Sequence, residues 1–398
     1  MTPDADARRF LREALFAADP PPMANNWDEA ALLGAASRHG IAPLLHERLR
    51  ETASLPPRLR KSLEAHYYST AQKNHYRIQA AGEALGALQR SGVRVLVLKG
   101  AGLAERLYRN IALRPFEDID LLIQPKDFAA AREALRTLGY QPPDCALPDA
   151  HYRRHHFHIA LIRKEPAPVY LELHWGFTDP FLLYTPDMDA VWARATEALH
   201  PADEWLYLAM HLAKHGVLIE AFYRLGVTDP DPLLFAADAD IKLIWLVDLH
   251  RHAERYVDSL DPVALGETAR QWGAWPTLQA TRYLLRLTTG RDPFPQLSHE
   301  RPGPPSRWRN YLLKKVICGG ESSGRSFWTR MRPDTQFRPI RVLDMLRYLF
   351  PPGEFLTRRY RIRGWLALTG MRILHPVRAL GRDVISPLVA LAWLRIRR

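Results

Sequence analysis

Asp118 and Asp120 flank a single isoleucine at the head of the apolar run DIDLLI (118–123). Side chains alternate along an extended strand, so both carboxylates project from one face and Ile119 from the other. Held together they repel, and a cation relieves the repulsion. Mg²⁺ suits such a pair, because it takes oxygen ligands and is commonly held by one or two carboxylates together with substrate phosphates. A third acid lies in VYLELHW (169–175), where Glu172 and His174 share one face and Leu171 and Leu173 the other. If that strand lies beside 118–123, three carboxylates converge, which is a donor set for metal-assisted phosphoryl or nucleotidyl transfer. Lys99-Gly100 follows a short β-branched run and opens a helix-like stretch. Glycine there lets the backbone approach a phosphate, and a helix N-terminus presents N–H groups to it. Lys99 can add a positive charge, and Arg114, four residues before Asp118, can reach the same phosphates. Each piece alone is common on solvated surface. Their joint order is far less common: strand, KG, helix, R-x₃-DID, helix, strand, strand with E-x-H.

The elements that must position these groups are visible in the periodicity. Residues 7–90 read as helices, among them Trp27–Gly40, whose apolar residues recur every three or four positions before a glycine stop. Val93–Leu98 reads as a strand, 101–109 as a helix, 118–123 as a strand, and 128–138 as a helix stopped by Gly139. The runs 157–162 and 169–175 read as two strands joined by a proline-bearing turn at 164–168. Helical patterns return at 205–215, 241–251 and 277–287, and RPGPP (301–305) reads as a linker. The expected organisation is a helical N-terminal region (1–90), a catalytic core (91–180), a helical domain completing the cleft (181–300) and a basic, proline-punctuated amphipathic extension (301–398).

Composition narrows the class. Of 398 residues, 47% are apolar and 25% charged, a globular balance, and 32 prolines exclude a long coiled coil. Cys145 and Cys318 form no CxxC, and two cysteines cannot frame a disulfide scaffold, so a reducing, cytoplasmic setting is expected. The polar start MTPDADARRF has no apolar segment of a secretory signal. The net charge of +12 is concentrated in residues 301–398, with 21 basic and 5 acidic residues, whereas the first 300 carry 34 basic and 38 acidic. That mildly acidic body argues against extended nucleic acid as a partner, since nonspecific binding to it rests on cationic surface. In residues 356–398 arginines alternate with Trp365, Leu366, Leu368, Met371, Ile373, Leu374 and Trp393, the composition of interfacial amphipathic helices. Peripheral association with anionic membrane is the expectation drawn from it, with nucleic-acid binding or packing on the body as the alternatives. The nearly uncharged run 384–394 is too short to span a bilayer.

The segments LKG (98–100), RPFEDIDLLI (114–123) and ELHW (172–175) resemble the uncharacterised nucleotidyltransferase-like proteins of the polymerase-β-type superfamily. So do HGIAPLL (39–45), HLAKHG (211–216) and WLVDL (245–249), which extends the resemblance over roughly 27–290. The superfamily pattern is a glycine-led turn, a DxD/E pair on one strand and a third acid on a later strand, and Asp118, Asp120 and Glu172 match those positions. The pair after the first strand is Lys99-Gly100, where the wider superfamily usually has Gly-Ser. The resemblance implies an α+β fold with a small mixed-sheet nucleotidyltransferase core flanked by N-terminal and C-terminal helical segments. It also implies transfer of a nucleoside monophosphate from an NTP to a hydroxyl on a small molecule, sugar or protein, with pyrophosphate released. Asp118, Asp120 and Glu172 would hold Mg²⁺, or Mn²⁺ in its place. Lys99, Gly100, Arg114 and His174 would bind nucleotide. The contrasting reading is a noncatalytic nucleotide-sensing module whose basic tail binds an anionic surface.

Other residues carry two readings each. His211 and His215 lie at i and i+4 on one helical face, a zinc-binding spacing, yet HExxH would need glutamate where Leu212 stands. They either pack a helix or, with Lys214, line the cleft. Asp248 on an apolar helix either pairs with a buried arginine or shapes the cleft. The stretch 151–158, rich in histidine and arginine, is either a solvated hairpin edge or a guide for triphosphate.

Overall fold

The computed structural model describes residues 5–298 apart from 18, 22–26, 53–54, 144–145, 147, 179–183, 217–218, 225 and 236–240, together with 369–374. The expectations for the rest of 301–398, the linker and most of the amphipathic extension, fall outside the described residues. Four helices come first: α1 (Ala5–Phe16), α2 (Glu29–Arg38), α3 (Ala42–Leu49) and the long α4 (Pro57–Arg90). The middle of the chain alternates β1 (Val95–Val97), α5 (Ala101–Tyr108), β2 (Asp118–Ile123), α6 (Phe128–Thr137), α7 (Asp149–His155), β3 (His158–Arg163) and β4 (Val169–His174). Helices then return as α8 (Met188–Arg194), α9 (Pro201–His215), α10 (Ile219–Arg224), α11 (Asp231–Leu234), α12 (Leu243–Arg255), α13 (Pro262–Gln271) and α14 (Trp275–Thr289). Local signals account for several of these ends. The Asp28 carboxylate accepts from the Ala30 and Ala31 N–H groups at the start of α2, and Gly40 takes a positive φ of 67° just past its end.

The four strands form one mixed sheet in the order β1-β2-β4-β3. β1 runs antiparallel to β2, β2 parallel to β4, and β3 antiparallel to β4. The molecule is thus α+β, with a small mixed sheet and helical segments on both sides of it in the chain. The pleat divides the sheet into two faces. Ile119, Leu121 and Ile123 of β2, Leu171 and Leu173 of β4, and Ile159 and Leu161 of β3 pack with Ala84 and Leu88 of α4 and Leu135 of α6. Each such leucine or isoleucine removed from water contributes about 1.5–3 kcal/mol, which fixes the register. The opposite face carries Asp118, Asp120, Glu172, His174 and His158, and cannot be covered by apolar side chains alone.

The helical segments before and after the sheet share one apolar cluster. Phe10, Leu32, Leu45 and Leu59 from the first helices pack in it with Trp205, Leu246 and Leu284 from the last ones. This shared core fixes α9 relative to the sheet.

Candidate active site

Register places the acids. In the parallel β2–β4 pair Asp120 stands opposite Glu172, and Leu122 opposite His174. Asp118 lies one pleat earlier on the same face of β2. The β1–α5 turn is pinned to this strand, because the Leu98 N–H donates to the Asp120 carbonyl at 3.0 Å. Gly100 follows with φ 64°, a backbone conformation that L side chains rarely adopt. A Cβ there would stand 3.2 Å from the Asp118 carbonyl and 3.7 Å from Asp120 Oδ2. The close approach carries Lys99 into the acid cluster.

Lys99 Nζ lies 2.5 Å from Asp120 Oδ1 and 3.9 Å from Asp118 Oδ2. The Asp120 side chain is 0% exposed, whereas that of Asp118 is 37% exposed. Burial opposes the charge on Lys99, but Asp120, with Asp118 and Glu172 behind it, holds the ammonium protonated above the usual lysine range. Burial likewise favours protonation of Asp120, and Lys99 and His174 overcome it, so Asp120 titrates below the ordinary aspartate range. Asp118 moves the other way, raised by burial and by the Asp120 charge against the opposing pull of Lys99. The two aspartates are thus inequivalent: one is a buried, paired anion, the other a half-exposed carboxylate facing the cavity.

His174 completes the cluster. Its Nε2 lies 3.1 Å from Asp120 Oδ1 and 3.3 Å from Glu172 Oε2. Burial disfavours its charge, but the bonds to Asp120 and Glu172 raise its pKa above 6.5. Glu172 is lowered: the bond to His174 and the proximity of His158 outweigh burial and the Asp120 charge. His158 stacks on His174 with ring centroids 5.0 Å apart.

These groups open onto a cavity of about 210 Å³. Its opposite wall is α9, which presents Tyr207, Met210, His211, Lys214 and His215 at helical spacing. Burial, together with Lys99 and His215, pushes His211 well below 6.5, so its imidazole is neutral. Burial raises the Tyr207 hydroxyl above the ordinary tyrosine range. Trp245 of α12 backs both histidines, with ring centroids 5.0 Å from His211 and 4.9 Å from His215.

Most residues singled out from the sequence therefore meet: Lys99, Asp118, Glu172, His174, His211, Lys214 and His215 line the cavity, with Asp120 bonded directly behind. Gly100, buried against β2, does not line the cavity, and neither does Arg114. The Arg114 Nε and Nη2 donate to Asp248 Oδ1 and Oδ2 at 3.1 and 2.7 Å, and the residue is 5% exposed, so it lies in the interior rather than at the cavity. Of the two readings of Asp248, the pairing with a buried arginine is the one observed. Tyr207, Phe157 and Tyr184 were not singled out, although Tyr207 lies one helical turn before His211 and that spacing marks it.

The donor set fits a divalent cation. Ligand atoms of Asp120, Glu172 and His174 lie within 4.8 Å of one another, and Asp120 Oδ2 is buried with no hydrogen-bond partner. The carboxylate oxygens suit Mg²⁺ or Mn²⁺, while His174 Nε2, turned to Asp120 and Glu172, orients them.

Comparison with known proteins places the chain. Residues 24–290 match the family described as uncharacterised nucleotidyltransferase. The protein belongs to that family, and the acid cluster lies inside the matched region. No curated protein and no solved structure matches the chain.

Proposed function

We propose that the protein is a Mg²⁺- or Mn²⁺-dependent nucleotidyltransferase that moves a nucleoside monophosphate from an NTP to an acceptor hydroxyl. The observation that carries this reading is the strand register, which sets Asp120 opposite Glu172 with Asp118 on the same face; Asp118 and Glu172 line the cavity and Asp120 lies directly behind them. Held by Asp118, Asp120 and Glu172, the metal would neutralise phosphate charge and acidify the acceptor hydroxyl. His174 donates to Asp120 and Glu172 and keeps both carboxylates aimed at the cavity. Lys99 balances the charge of the β2 aspartates, and Gly100 allows the close approach of the β1–α5 turn to β2 that brings Lys99 to them. Glu172, at the cavity wall, polarises the acceptor hydroxyl. The hydroxyl oxygen bonds to the α-phosphorus, the bond to the oxygen bridging to the β-phosphate breaks, the hydroxyl proton passes to solvent and pyrophosphate leaves.

A small molecule, sugar or protein side chain suits the acidic body better than an extended nucleic acid. The expected cytoplasmic setting belongs to this reading, as does contact of 356–398 with anionic membrane, which rests on composition. No helix among the described residues is long and apolar enough to cross a membrane. The test is incubation with cell extract, Mg²⁺ and each NTP labelled at either the α- or the γ-phosphate. Transfer of α-label alone supports nucleotidyl transfer. Transfer of γ-label alone would assign a kinase instead.

A further inference from the structure

A triphosphate brings about four negative charges to a face that already carries Asp118, Asp120 and Glu172, so its tail needs a cation that these acids do not claim. Two of the cations expected to serve it are engaged. Arg114 donates through both Nε and Nη2 to Asp248, away from the cavity. Lys99 is bound to Asp120. Among the described residues that line the cavity, the other ammonium is Lys214, and no arginine lines it.

Resting on the nucleotidyltransferase reading, we infer that Lys214 is the contact for the β- and γ-phosphates, and that α9 is the triphosphate-binding wall of the site. Lys214 is exposed at the last turn of α9, and no carboxylate pairs with it among the described residues. Its Nζ stands 5.0 Å from the centroid of the Phe157 ring, and that ring lies 5.5 Å from His174. The ammonium is thus held one aromatic ring from the acid cluster, near enough to bridge to a phosphate tail and too far to be neutralised by the carboxylates. A lysine ammonium is a compact point charge on a flexible stem, suited to following a polyphosphate of variable pose. His211, neutral beside it, can share a hydrogen bond with the same anion without adding a desolvated charge.

The test is equilibrium binding with Mg²⁺, using non-hydrolysable α,β-methylene analogues of the four NTPs and the matching nucleoside monophosphates. The wild-type protein should bind at least one triphosphate analogue more tightly than its monophosphate. Lys214→Ala should weaken that triphosphate at least tenfold and the monophosphate less than twofold, and Lys214→Arg should restore most of the loss. Because the side chain is exposed, thermal melting should be unchanged in both variants. Triphosphate binding by Lys214→Ala within twofold of wild type would overturn the assignment and leave the catalytic reading standing. Failure of the wild-type protein to bind any triphosphate would overturn both.

Discussion

Removing one half of the Arg114–Asp248 pair should destabilise the protein heavily, and removing both should not. Asp248 is 1% exposed and accepts from Arg114 through both carboxylate oxygens, with the Tyr108 hydroxyl donating to Oδ1 at 2.6 Å. Asn74 Nδ2 holds the Arg114 carbonyl at 2.8 Å, so the backbone cannot easily carry the guanidinium to solvent. Asp248→Ala leaves a buried cation without a partner, a loss of about 3–5 kcal/mol. At about 2 °C per kcal/mol for a chain of this size, the melting temperature should fall by about 6–10 °C. The double substitution Arg114→Met with Asp248→Leu removes both charges and should recover most of that loss. Denaturant and thermal unfolding of Arg114→Met, Asp248→Leu and the double give the coupling directly. A loss below about 1 kcal/mol for Asp248→Ala would refute the buried pairing. So would an Arg114→Met protein of wild-type stability with much weaker nucleotide binding, because it would return Arg114 to the cleft.

Asp118→Asn and Asp120→Asn should both abolish turnover, but only Asp120→Asn should also lower the melting temperature, since it strips Lys99 of its buried counter-ion; equal melting of the two would contradict the inequivalence of the pair. Gly100→Ala should cost about 1–3 kcal/mol through its positive φ and push β2 away from the turn, to be read by unfolding and by loss of activity. Stability should decline on acidification because His39, whose Nδ1 accepts from the Leu243 N–H, is pushed down to about 4 by burial and by Arg38, with Lys242 adding to the effect. The neutral ring is the folded form, so stability is full above about pH 6.5 and up to about 3 kcal/mol is lost as the pH falls to 4. Denaturant titrations across that range should show this limb flattened in His39→Asn.

The acid cluster was legible because a strand's two-residue period is rigid: once DID and ExH lie on neighbouring strands, their faces are set. The sequence pattern also carried the β3–β4 hairpin and helices α9, α12 and α14, whose apolar spacing reports burial directly. Arg114 was misplaced because four residues of sequence separation say nothing about direction. Its partner Asp248 is 134 positions away, and only the packing of α12 against α5 brings them together. The sequence points Lys99 at a phosphate, whereas the structure binds it to Asp120, a consequence of the turn geometry at Gly100. The cavity wall on α9 was visible as His211, Lys214 and His215 but stayed open between packing and cleft. The choice depends on how the last helices dock on the sheet, through a shared apolar cluster that no local pattern encodes.

The central claim is that Asp118, Asp120 and Glu172 form one metal-dependent site for nucleotidyl transfer. Pyrophosphate release by the purified protein, measured with Mg²⁺ or Mn²⁺ and each NTP in the presence of an acceptor extract, tests it most directly. Release is expected with at least one NTP, abolished by chelation and by Asp118→Asn or Asp120→Asn, and slowed with little change in nucleotide affinity by Glu172→Gln. Release that persists undiminished in both aspartate variants, or in the absence of divalent ions, would contradict it.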